Sequence, residues 1–300
     1  MLPAMRIGIG LPIGERGEPP RATPYRDMRE LAVLSEQSGL DSIWVADHFF
    51  FQPPSGSLRG LWESTSMLAA LADATSRVEL GPLVLCAPFR NPALIAWLAN
   101  TIDEISGGRF VLGLGSGWHE PEFDAFGFEF ERRVSLFEDT LEIVVPLLRE
   151  GRVEYDGRLA SAHGTLQPRG PREKGPPILI SATRPRMMAL AAKWADRFNT
   201  CWYGRPTNEF FTDRRNLEQA CADIDRDPAE IEVNVGLQVM GELMVESDSH
   251  EALSGPPEQL AEGLNEWREL GVTEVICRTD PATPRMVERI ARAKDILAAG

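Results

Sequence analysis

The feature that most constrains this chain is an eightfold alternation of a short apolar run with a longer amphipathic one. The short runs are Arg6–Leu11, Ser42–Ala46, Val78–Cys86, Arg109–Leu114, Pro177–Ser181, Arg197–Trp202, Ile231–Met240 and Val272–Arg278. Their length and their Val, Ile and Leu content suit strands buried on both faces. After each, apolar residues recur at helical spacing: Pro24–Ser38, Ser64–Thr75, Pro92–Ile105, Arg133–Arg149, Arg186–Trp194, Asn208–Asp223, Pro257–Leu270 and Pro284–Ala298. Local signals agree. Gly39 follows the first helix as a C-terminal cap, and Asn91-Pro92 supplies a cap and a first-turn residue to the third. Eight strand–helix units without a break in composition predict one α/β domain over residues 1–300, closed as a (β/α)8 TIM barrel. A doubly wound open sheet is the alternative the pattern leaves.

Composition narrows the partners. Of 300 residues, 43% are hydrophobic, enough for one large core. With 45 acidic against 31 basic residues the net charge is -14, so nucleic acid and anionic membranes are repelled. A small anionic cofactor is still compatible, because a pocket can be locally basic. The four cysteines, Cys86, Cys201, Cys221 and Cys277, are far apart and form no metal-ligand spacing, which suits free thiols in a reducing compartment. No signal pattern opens the chain, and no apolar run approaches the roughly 18 residues of a membrane span. A soluble cytoplasmic protein without a metal is expected.

Two segments interrupt the rhythm. Gly117–Arg132 follows the fourth strand and is aromatic and acidic; Gly151–Gly175 is rich in glycine and proline, with a hairpin signal at Tyr155-Asp-Gly157. The loop Phe49–Leu61 follows the second strand. Loops that leave barrel strands at their C-terminal ends build active sites, so insertions after strands two and four are expected on that face.

Several side chains there can do chemistry. Asp47-His48 ends the second strand; a histidine exchanges protons near neutral pH, and a neighbouring carboxylate can orient it. A purely structural histidine fits the same position. Gly113-Leu-Gly115-Ser116-Gly117 ends the fourth strand, where missing side chains let a backbone approach a flat ring or a phosphate. The cluster equally suits a tight strand exit, and it lacks the spacing of a dinucleotide fingerprint. Trp118, His119, Glu122, Phe123 and Phe126 could line a pocket or simply pack. Arg132-Arg133 with Glu138 reads most simply as a salt bridge at a helix start.

Taken in order, these pieces resemble the luciferase-like monooxygenase superfamily, in particular its deazaflavin (coenzyme F420)-dependent oxidoreductases. The specific matches are Gly39-Leu-Asp-Ser-Ile-Trp-Val-Ala-Asp47-His48, Ser106-Gly-Gly-Arg-Phe-Val-Leu-Gly-Leu-Gly-Ser-Gly-Trp118 and His119-Glu-Pro-Glu-Phe-Asp-Ala-Phe-Gly127. Arg133 with Phe137-Glu138, Tyr155-Asp-Gly157 and Asp196 add to them, so the resemblance runs along nearly the whole chain.

The resemblance implies a cofactor ring at the strand C-termini, hydride transfer at that ring, and Asp47 and His48 on the substrate side. It implies a non-proline cis peptide behind the ring, for which Leu83-Val84 is the matching pair, with Cys86 nearby. Gly115, Ser116, Gly117 and Trp118 would border the ring, and the turn Ser181-Ala182-Thr183-Arg184 would meet the cofactor phosphate. Two positions depart from the family. Its sugar-phosphate dehydrogenases carry an acidic residue where this chain has Trp118, which disfavours that activity. The turn after strand five is usually glycine-rich, whereas here it carries side chains. The expected activity is F420-dependent hydride transfer with a small alcohol, carbonyl or enone. Alternatives are an FMN-dependent monooxygenase using molecular oxygen and a non-catalytic barrel subunit. A homodimer is expected from the relatives.

Overall fold

Strands covered on both faces require continuous apolar runs, and the observed sheet is built from those runs. The computed structural model describes residues 5–17, 19–52, 57–241 and 252–299. Nine segments form one parallel sheet: β1 Arg6–Gly10, β2 Ser42–Val45, β3 Glu79–Pro82, β4 Leu85–Cys86, β5 Leu112–Gly115, β6 Ile178–Ser181, β7 Arg197–Tyr203, β8 Glu232–Met240 and β9 Glu274–Asp280. Their order around the sheet is β3-β2-β1-β9-β8-β7-β6-β5-β4. β3 and β4 are two pieces of one barrel strand. β4 pairs with β5, and a bridge between Leu80 and Phe110 joins the other piece to the approach of β5. The sheet therefore closes, and the open doubly wound alternative is excluded.

The helices are α1 Tyr25–Gln37, α2 Ser64–Ala74, α3 Pro92–Ser106, α4 Glu120–Phe126, α5 Arg133–Glu150, α6 Pro185–Trp194, α7 Asn208–Ala222, α8 Pro257–Glu269 and α9 Pro284–Ala299. Apart from α4, they follow the barrel strands in turn and cover the sheet. Their apolar faces and the outward sheet face form one continuous core. Inside the barrel, Trp44, Val111, Leu179 and Ile276 pack together beneath Leu83 and Val84.

Two stretches differ from the sequence expectation. The run Val78–Cys86 is not one strand. It breaks at Leu83-Val84, where the peptide is cis, and Val84 lies over the side-chain-free faces of Gly113 and Gly115. The expected cis pair is thus the observed one. A second non-proline cis peptide, Cys201-Trp202, lies near the end of β7 and had no sequence signal. The aromatic excursion after β5 contains α4, with Pro121 in its first turn, Glu120 and Glu122 at its positive end, and Gly127 closing it at φ 74°.

Short antiparallel ribbons complete the frame. Phe50–Phe51 pairs with Arg59–Gly60 above β2. Arg152–Asp156 pairs with Ser161–Thr165 beside α5, where Asp139 accepts from the Tyr155 hydroxyl at 2.9 Å and from Leu159 N–H at 2.6 Å. This second ribbon follows a helix rather than a strand, so it lies away from the strand C-terminal ends. Among the described residues, no helix is long and apolar enough to cross a membrane.

Candidate active site

The C-terminal ends of the strands open into a cavity of about 870 Å³. Its wall is contributed by chain leaving nearly every strand: Leu11–Gly17 after β1, Ala46–His48 after β2, Leu83 and Val84 between β3 and β4, Gly117 and Trp118 after β5, Ser181, Trp202, and Arg278 with Asp280. A cavity of this size, largely apolar with a few polar groups, suits a flat aromatic ring together with a small substrate.

His48 stands where β2 ends. Its Nδ1 lies 2.7 Å from Glu122 Oε2, and Glu122 is 1% exposed. The other oxygen of Glu122 accepts the backbone N–H of Phe49 and, at 3.3 Å, of Phe50. Glu122 therefore holds both the imidazole and the backbone that carries it. With Nδ1 engaged, Nε2 is the ring nitrogen left for a substrate. The Trp118 ring meets the imidazole edge-on at a centroid distance of 5.6 Å.

Asp47 does not orient His48, which corrects the expectation drawn from their adjacency. Side chains alternate along a strand exit, so neighbours point apart. Asp47 is buried and forms a two-point ion pair with Arg90 (2.8 Å each). It also accepts from Ser64 Oγ at 2.6 Å and from Cys86 N–H at 2.8 Å. Its role is to clamp the end of β2 to α2 and to the piece of chain that follows the cis peptide. Burial, with Asp47 and then Glu122 adding to it, pushes the Cys86 thiol up, so it stays protonated and unreactive. All four cysteines are free.

The glycine turn after β5 is shaped by its neighbours. A Cβ on Gly115 would stand 2.7 Å from Val84 Cγ2, and one on Gly117 would stand 2.6 Å from Phe123 and 2.7 Å from the Cys86 sulfur. Gly117 also has φ +78°, which side chains disfavour. Arg133 anchors this turn by donating to the Gly117 carbonyl at 3.2 Å, while its guanidinium covers the Phe130 ring. Glu138, read from sequence as its salt-bridge partner, instead pairs with Arg186.

The structure brings together at the cavity Asp47, His48, Leu83, Val84, Cys86, Gly117, Trp118 and Ser181. Gly115 and Ser116 are not among the lining residues, and Gly115 makes room for Val84. Ala182 is buried, whereas Thr183 and Arg184 are exposed at the start of α6. Of the aromatic stretch, Glu122 and Phe123 border the cavity. His119 packs behind them against Phe50 and Phe51. Burial, opposed by Glu122 and reinforced by His48, holds His119 below the usual histidine value. Among the described residues, no group of three His, Cys, Asp or Glu side chains is placed to hold a metal ion.

Sequence reasoning missed Arg90 and Ser64, which hold Asp47, and Asn199, which borders the cavity. Asn199 is fully buried, its Nδ2 approaches the Asn234 carbonyl at 3.4 Å, and its Oδ1 has no partner among the described residues. A buried carbonyl oxygen without a donor beside a cavity fits a ligand that brings an N–H. The pyrimidine edge of a flavin or deazaflavin ring carries one. Leu83, Val84 and Gly117 supply the flat apolar surface such a ring needs, so the residues present fit the cofactor class.

A family model described as luciferase-like monooxygenase matches residues 5–242. An F420-dependent glucose-6-phosphate dehydrogenase of Rhodococcus erythropolis is 30% identical over 256 residues, covering 83% of this chain and 71% of that one. The pyrimidine monooxygenase RutA of Methylorubrum extorquens is 32% identical over 245 residues, covering 75% and 63%. Across the curated relatives it matches, the chain spans about half to about seven tenths of their length. The solved coenzyme F420-dependent tetrahydromethanopterin reductase from Methanopyrus kandleri superposes with a TM-score of 0.79 at 18% identity, covering 96% of this chain and 98% of that one, which shows the shared fold. With its closed barrel and this match over most of its length, the chain belongs to the luciferase-like monooxygenase family, a family of oxidoreductases.

Proposed function

We propose that this chain is a coenzyme F420-dependent oxidoreductase that moves a hydride between the deazaflavin and a small alcohol, carbonyl or enone. The observation that carries the reading is the His48–Glu122 pair beside a cavity fitted for a flat ring. Similarity to F420-dependent enzymes supports the cofactor. When bound, the deazaflavin accepts or donates the hydride and performs no oxygen chemistry. Leu83, Val84 and Gly117 would hold the ring, and Asn199 Oδ1 would be free to accept an N–H from it. Ser181, which lines the cavity, with Thr183 and Arg184 at the exposed start of α6, would meet the phosphate. His48 holds the substrate oxygen through Nε2 and takes or returns its proton, while Glu122 stabilises the charged imidazolium.

Similarity to RutA supports a second reading, an FMN-dependent monooxygenase on the same scaffold. A spectroscopic titration with both cofactors, side by side, separates the two. We expect deazaflavin to bind at micromolar levels or tighter and FMN more weakly; the reverse order moves the chain to the monooxygenase reading. A homodimer in the cytoplasm is part of the same proposal.

A further inference from the structure

The opposite side of the cavity mouth carries charge that the cofactor reading does not use. Arg16 follows β1 and Arg278 lies near the end of β9, the neighbouring strand in the barrel. Both side chains line the cavity. Neither guanidinium makes a hydrogen bond or ion pair among the described residues; Arg278 only covers the Trp202 ring, 5.7 Å from its centroid. Arg59, on the same wall, donates to the Gly17 carbonyl. The chain carries -14 overall, and several arginines at the barrel, among them Arg6, Arg90, Arg172 and Arg197, are paired with carboxylates. Arg16 and Arg278 are exposed at the cavity rim, on the exits of neighbouring strands, and hold no carboxylate there among the described residues. They sense each other: behind a larger effect of desolvation, Asp280 draws the Arg16 value up and Arg278 pushes it down. Asp280 is near them but is in ion-pair contact with neither.

Position around the barrel indicates what they bind. The turn Ser181–Arg184 leaves β6, three strands beyond β9, whereas His48 leaves β2, which is next to β1. An anion held between β1 and β9 is therefore on the His48 side of the mouth and across from the proposed cofactor phosphate.

We propose that Arg16 and Arg278 form an oxyanion subsite for the substrate, so the molecule turned over carries a carboxylate or phosphate group. The proposal rests on the redox-site reading above. Guanidiniums bind such groups through paired, charge-assisted hydrogen bonds. Trp202 gives the Arg278 head a flat surface to rest on and offers the organic part of the substrate an apolar contact. Anchoring the anionic end there leaves the rest of the molecule to reach His48 and the ring.

Benzoate, phenyl phosphate and neutral benzamide are suitable probes, titrated calorimetrically into the protein carrying whichever ring it takes. We expect benzoate or phenyl phosphate to bind and benzamide to bind at least about tenfold more weakly. Arg16→Gln and Arg278→Gln should each weaken the anion by about tenfold or more, the loss of one charge-assisted contact, with Arg278→Lys recovering part of it. Deazaflavin affinity should stay within about twofold in all variants. Anion binding that ignores all three substitutions, or that is absent from the wild type, overturns the proposal. A tenfold loss of cofactor affinity in either glutamine variant also overturns it, because the anion is then the cofactor's own. If the wild type takes neither ring, the redox reading fails, while the same probes on the cofactor-free protein still decide this subsite.

Discussion

His48 Nδ1 and Glu122 Oε2 meet at 2.7 Å although 74 residues separate them in sequence. The contact fixes which imidazole nitrogen faces the cavity, because Glu122 accepts from Nδ1–H and leaves the Nε2 lone pair free. If His48 handles the substrate proton, His48→Ala should lower turnover by roughly 10²–10⁴-fold. Glu122→Gln should give a loss of the same order, since an amide group facing Nδ1 favours the other tautomer. Cofactor affinity should change little in either. Steady-state kinetics beside a cofactor titration check this, and near-normal turnover in a folded His48→Ala protein makes the residue structural.

Asp47 acts through structure. It is buried, paired at two points with Arg90, and bonded to Ser64 and the Cys86 N–H. Removing one partner of a buried pair strands the other, so Asp47→Ala should cost about 3–5 kcal/mol of stability. Urea unfolding measures it. The double variant Asp47→Ala with Arg90→Met should recover part of the loss, and an unchanged midpoint in the single variant contradicts the clamp.

Glu36 sets an acid limit. Although desolvation pushes it up, N–H groups of Arg77, Ser76 and Val78 and the Ser76 hydroxyl hold it at about 2, below its ordinary 4.5. A depressed carboxylate stabilises the fold above its unfolded value and loses that contribution as pH falls through the folded one. Stability should therefore decline between about pH 4.5 and 2, and Glu36→Gln should flatten this decline while lowering stability at neutral pH. Urea midpoints across a pH series test the sign; an unchanged slope refutes it.

Arg184 caps the start of α6 and is exposed, while Ser181 one turn earlier borders the cavity. Exposed N–H groups at this helix start favour an anion. Arg184→Ala should weaken cofactor binding by about 1.5–3 kcal/mol, the range for hydrogen bonds to charged groups. The remaining affinity should also depend less on salt. Equal affinity and equal salt dependence would count against the clamp.

The sequence by itself determined the barrel. Eight apolar runs long enough for two-sided burial, each followed by a helical pattern, leave few ways to cover both faces. It also placed His48 and Trp118 at strand ends. It did not reveal which carboxylate serves His48. Asp47 is adjacent in sequence, but neighbours at a strand exit diverge, and the partner came instead from α4, a short helix folded over the barrel mouth. Nor did it reveal the Asp47–Arg90 clamp, the unsatisfied Asn199 oxygen, or that Arg16 and Arg278 line the same cavity. Periodicity reports which face of an element is buried; pairing between distant strand ends depends on how closure of the sheet brings those ends around one cavity, and only the tertiary structure decides that.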